Sequence, residues 1–508
     1  MRTIESLLLL ADVMAFLALS VPRLRGGLWL RHWPVIASVV AAAQWLAEGP
    51  RWQMLPAYAL TVSFLLLWLH RNVASRGRTL QQKRRHPIIA VAANGPGALG
   101  LAVAFALPTM VPVFSSPPPT GPYEIGTLTY HWIDAACSEV FVADPTTRRQ
   151  LMVQIWYPAQ ASSLGPPAAY MPDADAVTTA FAHIHDKPAF VFGHFKYVTT
   201  HAKSSAPAAV DQPRYPVLLF LEGATGFRQM NTFQVEHLVS HGYIVVVIDQ
   251  PGAAAAVVFP DGHQTAGLTL AQFHATVSPS YMPGGTDPLH MGALLPNGSA
   301  LEDSSIIPYL AKDVLFTLDR LGALNQADPS GILTGKLDLQ RIGVFGVSLG
   351  GILVGETCRI DQRLKACLVM DAPMSASVVK AGLQKPSMWI TRDAASMRLE
   401  RQRAGGWPDA EIEAHQTSMR AVYEGLSGDG YFVQVPGMFH SNFTDIASWT
   451  PLSRALGLAG PIDEQRAHGI VNAYSLAFFD RHLLGRPATL LDRTANLYPE
   501  ALLESRRP

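Results

Sequence analysis

The segment Arg341 to Gly355, RIGVFGVSLGGILVG, sets one serine among glycines, with apolar residues on both sides. Gly346-Val347-Ser348-Leu349-Gly350 fits G-x-S-x-G, and a further glycine follows. A serine hydroxyl attacks a carbonyl only when it is exposed on a sharp turn beside a base. Such a turn needs a strand before it, a helix after it and small flanking residues where backbones close in. RIGVF is a strand candidate and LGGILVGETC an apolar helix candidate. The competing interpretation is a glycine-rich entry into a buried helix with an incidental serine, and the strand–turn–helix setting favours the nucleophile.

A serine nucleophile needs a base and an orienting acid, and in this topology they follow it in the order acid, then histidine. Downstream stand His415, His440, His468 and His482. His415, His468 and His482 fall in helical stretches and read as surface or packing residues. His440 directly follows a strand, in YFVQVPGMFHSNFTD, which delivers an imidazole to the carboxyl edge of a parallel sheet. Two acids compete: Asp371 closes the strand ACLVMD and Asp393 closes the next, SMWITRD. Position alone does not separate them. An oxyanion hole requires two backbone N–H groups, one from Leu349 after the nucleophile and one from a loop after an early strand. LLFLEGATGFRQM offers that loop, with Ala224 after Gly223; an ordinary glycine turn is the alternative there.

The elements that must hold these residues alternate along the chain. YPVLLFLE and YIVVVID have the length of buried strands, NTFQVEHLVSHG between them has helical spacing, and IIPYLAKDVLFTLDRL reads as a long amphipathic helix. The expected fold over 125–508 is α/β, with a mostly parallel central sheet flanked by helices. RQLMVQIWYPA supplies antiparallel strand material at its start. Residues near 252–303, rich in Gly, Pro, Ala and His, are long for a loop and suggest a cap or lid over the site.

Residues 1–114 have a different character. Four apolar stretches, Ile4–Val21, Leu28–Ala47, Met54–Leu69 and Pro87–Val113, are each long enough for a hydrocarbon core that takes about 20 helical residues. Tryptophans 29, 33, 45, 52 and 68 lie near their ends, as in an interfacial belt. Arg23, Arg25 and Arg31 follow the first run; Arg71, Arg76, Arg78, Lys83, Arg84 and Arg85 follow the third. The positive-inside rule puts those loops in the cytoplasm, so the expectation is a four-helix transmembrane anchor with everything after 115 extracytoplasmic. A cleaved signal peptide followed by three spans is the rival. Asp12 is expected to make an interhelical contact. FSSPPPTGPYE, covering the proline-rich linker 115–124, separates the two parts.

The charge pattern excludes other classes. With 39 basic and 39 acidic residues the net charge is zero, which argues against nucleic acid. The three cysteines, Cys137, Cys358 and Cys367, rule out a disulfide framework and leave one conceivable bridge, Cys358–Cys367. AHIHD (His183, His185, Asp186) has two imidazoles at strand spacing in a loop-like segment without a third ligand, so no metal or other cofactor is expected.

Taken together, LLFLEGATGFRQMNTF, LVSHGYIVVVID, RIGVFGVSLGG, LKACLVMDAP and GMFHSNFTD resemble the platelet-activating-factor acetylhydrolase family of α/β-hydrolases, and NAYSLAFFDRHLLG resembles its closing helix. The resemblance covers about 125–490 and none of the apolar N-terminal part. It implies Asp371 rather than Asp393 as the acid, and the N–H groups of Ala224 and Leu349 as the oxyanion donors. For function it implies metal-free hydrolysis of carboxylic esters, with short-chain or lipid esters as substrates. Val347 and Glu222 stand where the family usually has histidine, which alters the pocket wall. Polyester, small-ester and amide hydrolysis on the same fold, or a non-catalytic membrane protein built on it, are the alternatives.

Overall fold

The computed structural model describes residues 1–21, 30–74, 87–161, 163, 165–282, 306–492 and 497–507. These divide into two compact units, Met1–Phe114 with Trp449–Leu452, and Ser115–Ser448 with Ser453–Pro508.

The first unit contains helices α1 (Thr3–Ser20), α2 (Trp33–Ala47), α3 (Leu55–Ala74) and α4 (Pro87–Met110). Small side chains let the helices approach: Ala11, Ala15, Ala37, Ala57 and Ala104 are buried beside Leu8, Met54 and Phe64. Leu7, Leu10, Leu46, Leu66 and Phe105 nevertheless point outward, so these helices are apolar all round. Two segments, Thr3–Ser20 and Trp52–Val73, are long and apolar enough to cross a membrane, and Gly95–Met110 is a shorter apolar helix. Buried polar groups here find partners across helices. Arg51 forms two hydrogen bonds to Glu5, and Thr61 on α3 donates to Asp12 on α1 at 2.8 Å. Arg23, Arg25 and the basic residues of 76–85 lie outside the described residues.

The second unit is built on an eleven-stranded sheet. Its strands, with the separate hairpin β7–β8, are β1 (Glu124–Ser138), β2 (Arg148–Ala159), β3 (Pro167–Ala169), β4 (Thr199–Ser204), β5 (Tyr215–Leu221), β6 (Ile244–Asp249), β7 (Ala256–Val258), β8 (Gln264–Ala266), β9 (Leu337–Val347), β10 (Leu364–Met370), β11 (Ser387–Thr391), β12 (Gly430–Gln434) and β13 (Leu502–Arg506). The order is β13-β12-β11-β10-β9-β5-β6-β2-β1-β4-β3. From β12 to β6 every neighbour is parallel; β2 and β13 attach antiparallel at either side. The central strands β5 and β6 are buried along their whole length, as a parallel sheet covered on both faces requires.

The covering helices are α5 (Ala174–Ile184), α6 (Thr232–Ser240), α7 (Leu270–Val277), α8 (Ile306–Gln326), α9 (Leu349–Ile360), α10 (Ala376–Ala381), α11 (Ala394–Ala404), α12 (Asp409–Glu424) and α13 (Glu464–Leu484). One core sets α8, α9 and α12 against the sheet, and a second packs α6 and α13 on the other face. The 252–303 insertion begins with the β7–β8 hairpin and α7, while 283–305 lie outside the described residues. His183 and His185 stand at the end of helix α5, not on a strand or loop. Their one-face spacing argument therefore fails, since a helix turns successive alternate residues apart.

Register aligns the strand ends. Gly346 on β9 pairs with Leu221 on β5 and with Val369 on β10, and Val369 pairs with Trp389 on β11. The loops leaving β5, β9, β10 and β11 therefore start level at the carboxyl edge. Cys358 on α9 and Cys367 on β10 form a disulfide, which ties the helix after β9 to the neighbouring strand. Closing this short loop restricts the unfolded chain by about 2–3 kcal/mol. Cys358→Ser with Cys367→Ser, or a reductant, should lower the denaturation midpoint of the second unit accordingly, as measured by urea unfolding with and without dithiothreitol.

Candidate active site

Strand β9 ends at Val347, and α9 begins at Leu349. Between them Ser348 takes φ 58° and ψ −123°, a conformation that costs an L-residue of the order of 1–3 kcal/mol. The surrounding packing enforces it. Ser348 N–H bonds Met370 O at 3.1 Å, continuing the ladder to β10 beyond the end of β9. Gly350 presses against β5, where a Cβ would overlap the Leu221 carbonyl, and a Cβ on Gly346 would meet the Gly350 backbone at 2.6 Å. The glycines on both sides of the serine thus have a steric cause.

Asp371 directly follows β10 and also has positive φ, 44°; its N–H bonds Ile390 O at 3.0 Å. Its carboxylate turns to His440, with Nδ1 2.6 Å from Oδ2. A carboxylate can only accept, so His440 Nδ1 carries a proton, and in the neutral imidazole Nε2 is the nitrogen left with a lone pair. Asp393 points elsewhere: it caps α11, accepting from Ser396 N–H at 3.1 Å. The loop carrying His440 is fastened from below. Asn442 Oδ1 accepts from Phe439 N–H at 2.8 Å and Gly460 N–H at 2.9 Å. Buried Asp445 accepts from Thr232 and Phe233 N–H at the start of α6 and from Tyr170 Oη.

Further charged groups that the strand-end argument missed surround Asp371. Arg392, at the end of β11, brings Nε to 2.9 Å from Asp371 Oδ2, and its Nη1 pairs with Glu400. Burial alone would raise the Asp371 pKa. The Arg392 guanidinium and the His440 hydrogen bond reverse that and hold the carboxyl well below its usual range. His415 is not a surface residue. It is buried, with Nε2 4.0 Å from Asp371 Oδ1 and its ring stacked on Trp407, and burial lowers its pKa to about 4. A basic residue ending the otherwise apolar strand SMWIT was the available signal for Arg392.

The loop after β5 faces the serine. A Cβ on Gly223 would stand 3.2 Å from Ser348 Cβ, so the loop passes the nucleophile position at van der Waals distance. Thr225 N–H bonds Ala253 O at 2.7 Å and Gly226 N–H bonds Gly223 O at 3.1 Å, which holds Ala224 in place. Leu349 is the first residue of α9, so its N–H has no acceptor within the helix. Beneath the loop lies Glu222, 1% exposed, its carboxyl oxygens without a hydrogen-bond partner. The nearby cation, Arg228, is already bound to Asp249. Burial, together with the Asp249 charge, pushes the Glu222 pKa well up and so favours its neutral form.

Ser348, Asp371, His440, Ala224 and Leu349, the five residues singled out from sequence, line one pocket of about 380 Å³. Phe181, Leu270, Phe273, Val277, Tyr281 and Trp407 give it apolar walls. His185 reaches the same pocket, whereas His183 is exposed on α5. Among the described residues no three His, Cys, Asp or Glu side chains group as metal ligands. A hydroxyl at a strained turn, a histidine oriented by a carboxylate and a loop at contact distance are the groups that acyl transfer through a covalent intermediate needs.

A sequence model of the family described as "Platelet-activating factor acetylhydrolase, isoform II" matches residues 110–266 and 324–488. The chain belongs to this family. It is 22% identical to the platelet-activating factor acetylhydrolase of Cavia porcellus over 384 residues, 72% of this chain and 78% of that one. It is 24% identical to the Canis lupus familiaris enzyme over 305 residues, 58% of this chain and 62% of that one. Among solved structures, a ferulic acid esterase from Streptomyces cinnamoneus superposes with TM-score 0.56 at 27% identity, covering 77% of this chain and 99% of the other. The chain is a carboxylic ester hydrolase. The family match breaks off between 266 and 324, where α7 and Tyr281 supply one wall of the pocket.

Two outcomes follow from this geometry. Asp371→Asn should lower kcat by about 10⁴-fold, by forcing the wrong imidazole tautomer. Asp393→Asn, which keeps a capping side chain, should leave kcat within a few-fold, so comparing the two rates assigns the acid. For Glu222 the sign is that of an acid with a raised folded pKa: the wild type loses stability as pH rises and the buried group is forced to ionise. Glu222→Gln should remove this dependence, so its melting temperature should fall less than the wild type's as pH rises above the free-carboxyl range, read from thermal melts between about pH 5 and pH 9.

Proposed function

We propose that this chain is a membrane-anchored serine esterase working through Ser348, His440 and Asp371. Ser348 Oγ attacks the ester carbonyl, and His440 Nε2 takes its proton and passes it to the leaving alcohol. Asp371 orients the imidazole and stabilises the imidazolium, while the N–H groups of Ala224 and Leu349 receive the oxyanion. Water then releases the acyl group by the same steps in reverse. The observation that carries this proposal is the 2.6 Å contact of His440 Nδ1 with Asp371, in a pocket shared with a serine at φ 58°.

The substrates proposed are esters with an apolar acyl group, short-chain or lipid, since the pocket walls are aliphatic and aromatic. Aromatic acyl esters are a second reading, favoured by Phe181, Phe273, Tyr281 and Trp407 in the walls and by the ferulic acid esterase likeness. We further propose residues 1–114 as a four-helix membrane anchor, 115–124 as a linker and 125–508 as the catalytic domain, held outside the cytoplasm. The loop charges favour that side, and a buried disulfide in the catalytic unit suits an oxidising compartment.

Hydrolysis of p-nitrophenyl esters graded from acetyl to palmitoyl, with methyl ferulate as the aromatic member, tests the substrate range. Ser348→Ala should abolish both turnover and labelling by a fluorophosphonate probe. Full activity in that variant would overturn the mechanism. A preference for the ferulate over every aliphatic ester would select the second reading.

A further inference from the structure

Arg392 is completely buried beside the catalytic machinery, yet it contributes no atom to the bond-making steps. Its Nε stands 2.9 Å from Asp371 Oδ2, the same oxygen that receives His440 Nδ1. Its Nη1 meets Glu400 Oε2, and the other Glu400 oxygen accepts the His440 backbone N–H at 3.2 Å. Trp407 covers the guanidinium at 5.0 Å and packs edge-on to the His440 ring at 5.2 Å. The result is a closed ring of contacts from acid to cation to second acid to the backbone of the base, assembled from β10, β11, α11 and the histidine loop.

The charges explain why both members are needed. A lone guanidinium on Asp371 would draw on the carboxylate that must stabilise the imidazolium and would repel the imidazolium itself. Glu400 offsets that: Asp371 and Glu400 carry two negative charges and Arg392 one positive, leaving the single negative charge that a lone acid would supply. We propose that Arg392 and Glu400 are positioning residues, a charge-balanced clasp that fixes Asp371 and His440 together and sets the pH range in which the base works. This rests on the Ser348–His440–Asp371 reading. Among the described residues, the other ionisable groups lining the pocket are His185 from α5, Tyr281, Glu411 from α12, which accepts from Tyr281 Oη, and His415 from α12, whose pKa burial lowers to about 4.

The test is the pH dependence of kcat/KM for p-nitrophenyl acetate from pH 5 to 9, with the full chain in detergent. Glu400→Gln leaves a carboxylate and a guanidinium around the imidazole, so the acidic limb should move to lower pH, by about one unit. Arg392→Met leaves two carboxylates, and the limb should move to higher pH by a similar amount. Combining the two should return the limb to the wild-type position while kcat remains about tenfold down, because the charge is restored but the clasp is not. Arg392→Lys, which keeps the charge, should leave the limb in place. Shifts of Glu400→Gln and Arg392→Met in the same direction, or no shift in variants with wild-type melting curves, would overturn the clasp. If Arg392→Met does not fold, Glu400→Gln and Arg392→Lys still decide: an unmoved limb in the first or a moved one in the second refutes it. Ser348→Ala is assayed alongside, and activity there would refute the nucleophile rather than the clasp.

Discussion

The close approach of α9 to β5 is the constraint on which the rest of this site depends. Because Gly350 lies against the Leu221 carbonyl, the chain leaving β9 turns sharply enough to put Ser348 at positive φ. The same contact sets the loop after β5 at van der Waals distance from the serine. No independent device is needed to bring Ser348 and the loop after β5 together; one backbone-to-backbone contact accomplishes both. The parallel register then does the remaining placement. With Gly346 level with Val369 and Val369 level with Trp389, the residues just past β9, β10 and β11 emerge side by side, and Ser348, Asp371 and Arg392 are such residues.

A site assembled at strand ends has to manage charge in a place where water is scarce. Two solutions coexist here. Around Asp371 two carboxylates share one guanidinium and both touch it: Arg392 and His440 meet Asp371 Oδ2, and Glu400 meets the far side of Arg392. Under the loop after β5, Arg228 is taken up by Asp249, Glu222 has no cation in contact with it, and burial pushes its pKa well up toward the neutral form. The first arrangement keeps an anion next to the base. Under the proposed mechanism, the second keeps one away from the oxyanion that would form at the loop above Glu222, where a fixed negative charge would oppose the transition state.

Much of this was legible in the sequence because it follows from local rules. Buried parallel strands such as YPVLLFL announce themselves by unbroken apolar runs, and glycines on both sides of a serine between strand and helix mark a turn that backbone crowding makes sharp. The choice between Asp371 and Asp393 did not follow from such rules. Both end a strand at the same sheet edge, and what separates them is a backbone torsion at Asp371 and a helix cap at Asp393. Arg392, Glu400 and His415 were less legible still. Each is an ordinary residue for its own element, and their meeting depends on how β11, α11 and α12 pack in three dimensions. The helices of residues 1–114 show the opposite limit. Their apolarity is plain, but Glu5, which interrupts the first run, has its reason 46 residues away in Arg51.

The same contrast bears on specificity. The parts of the pocket that perform chemistry lie within the stretches matched by the family, whereas Leu270, Phe273, Val277 and Tyr281 fall in the interval that is not. These residues line the pocket beside the serine and carry no group suited to proton transfer at neutral pH; their contribution is shape and apolar surface. Binding energy from such a wall acts on the parts of an ester remote from the carbonyl, and it accelerates the reaction only where it is stronger in the transition state. Val347 lines the pocket next to the serine, whereas Glu222, for all its expected effect on the wall, is buried beneath the loop after β5 and does not line it. Under the proposed mechanism, exchanging the wall that comes from the interval outside the family match would alter acyl preference without touching the proton path through His440.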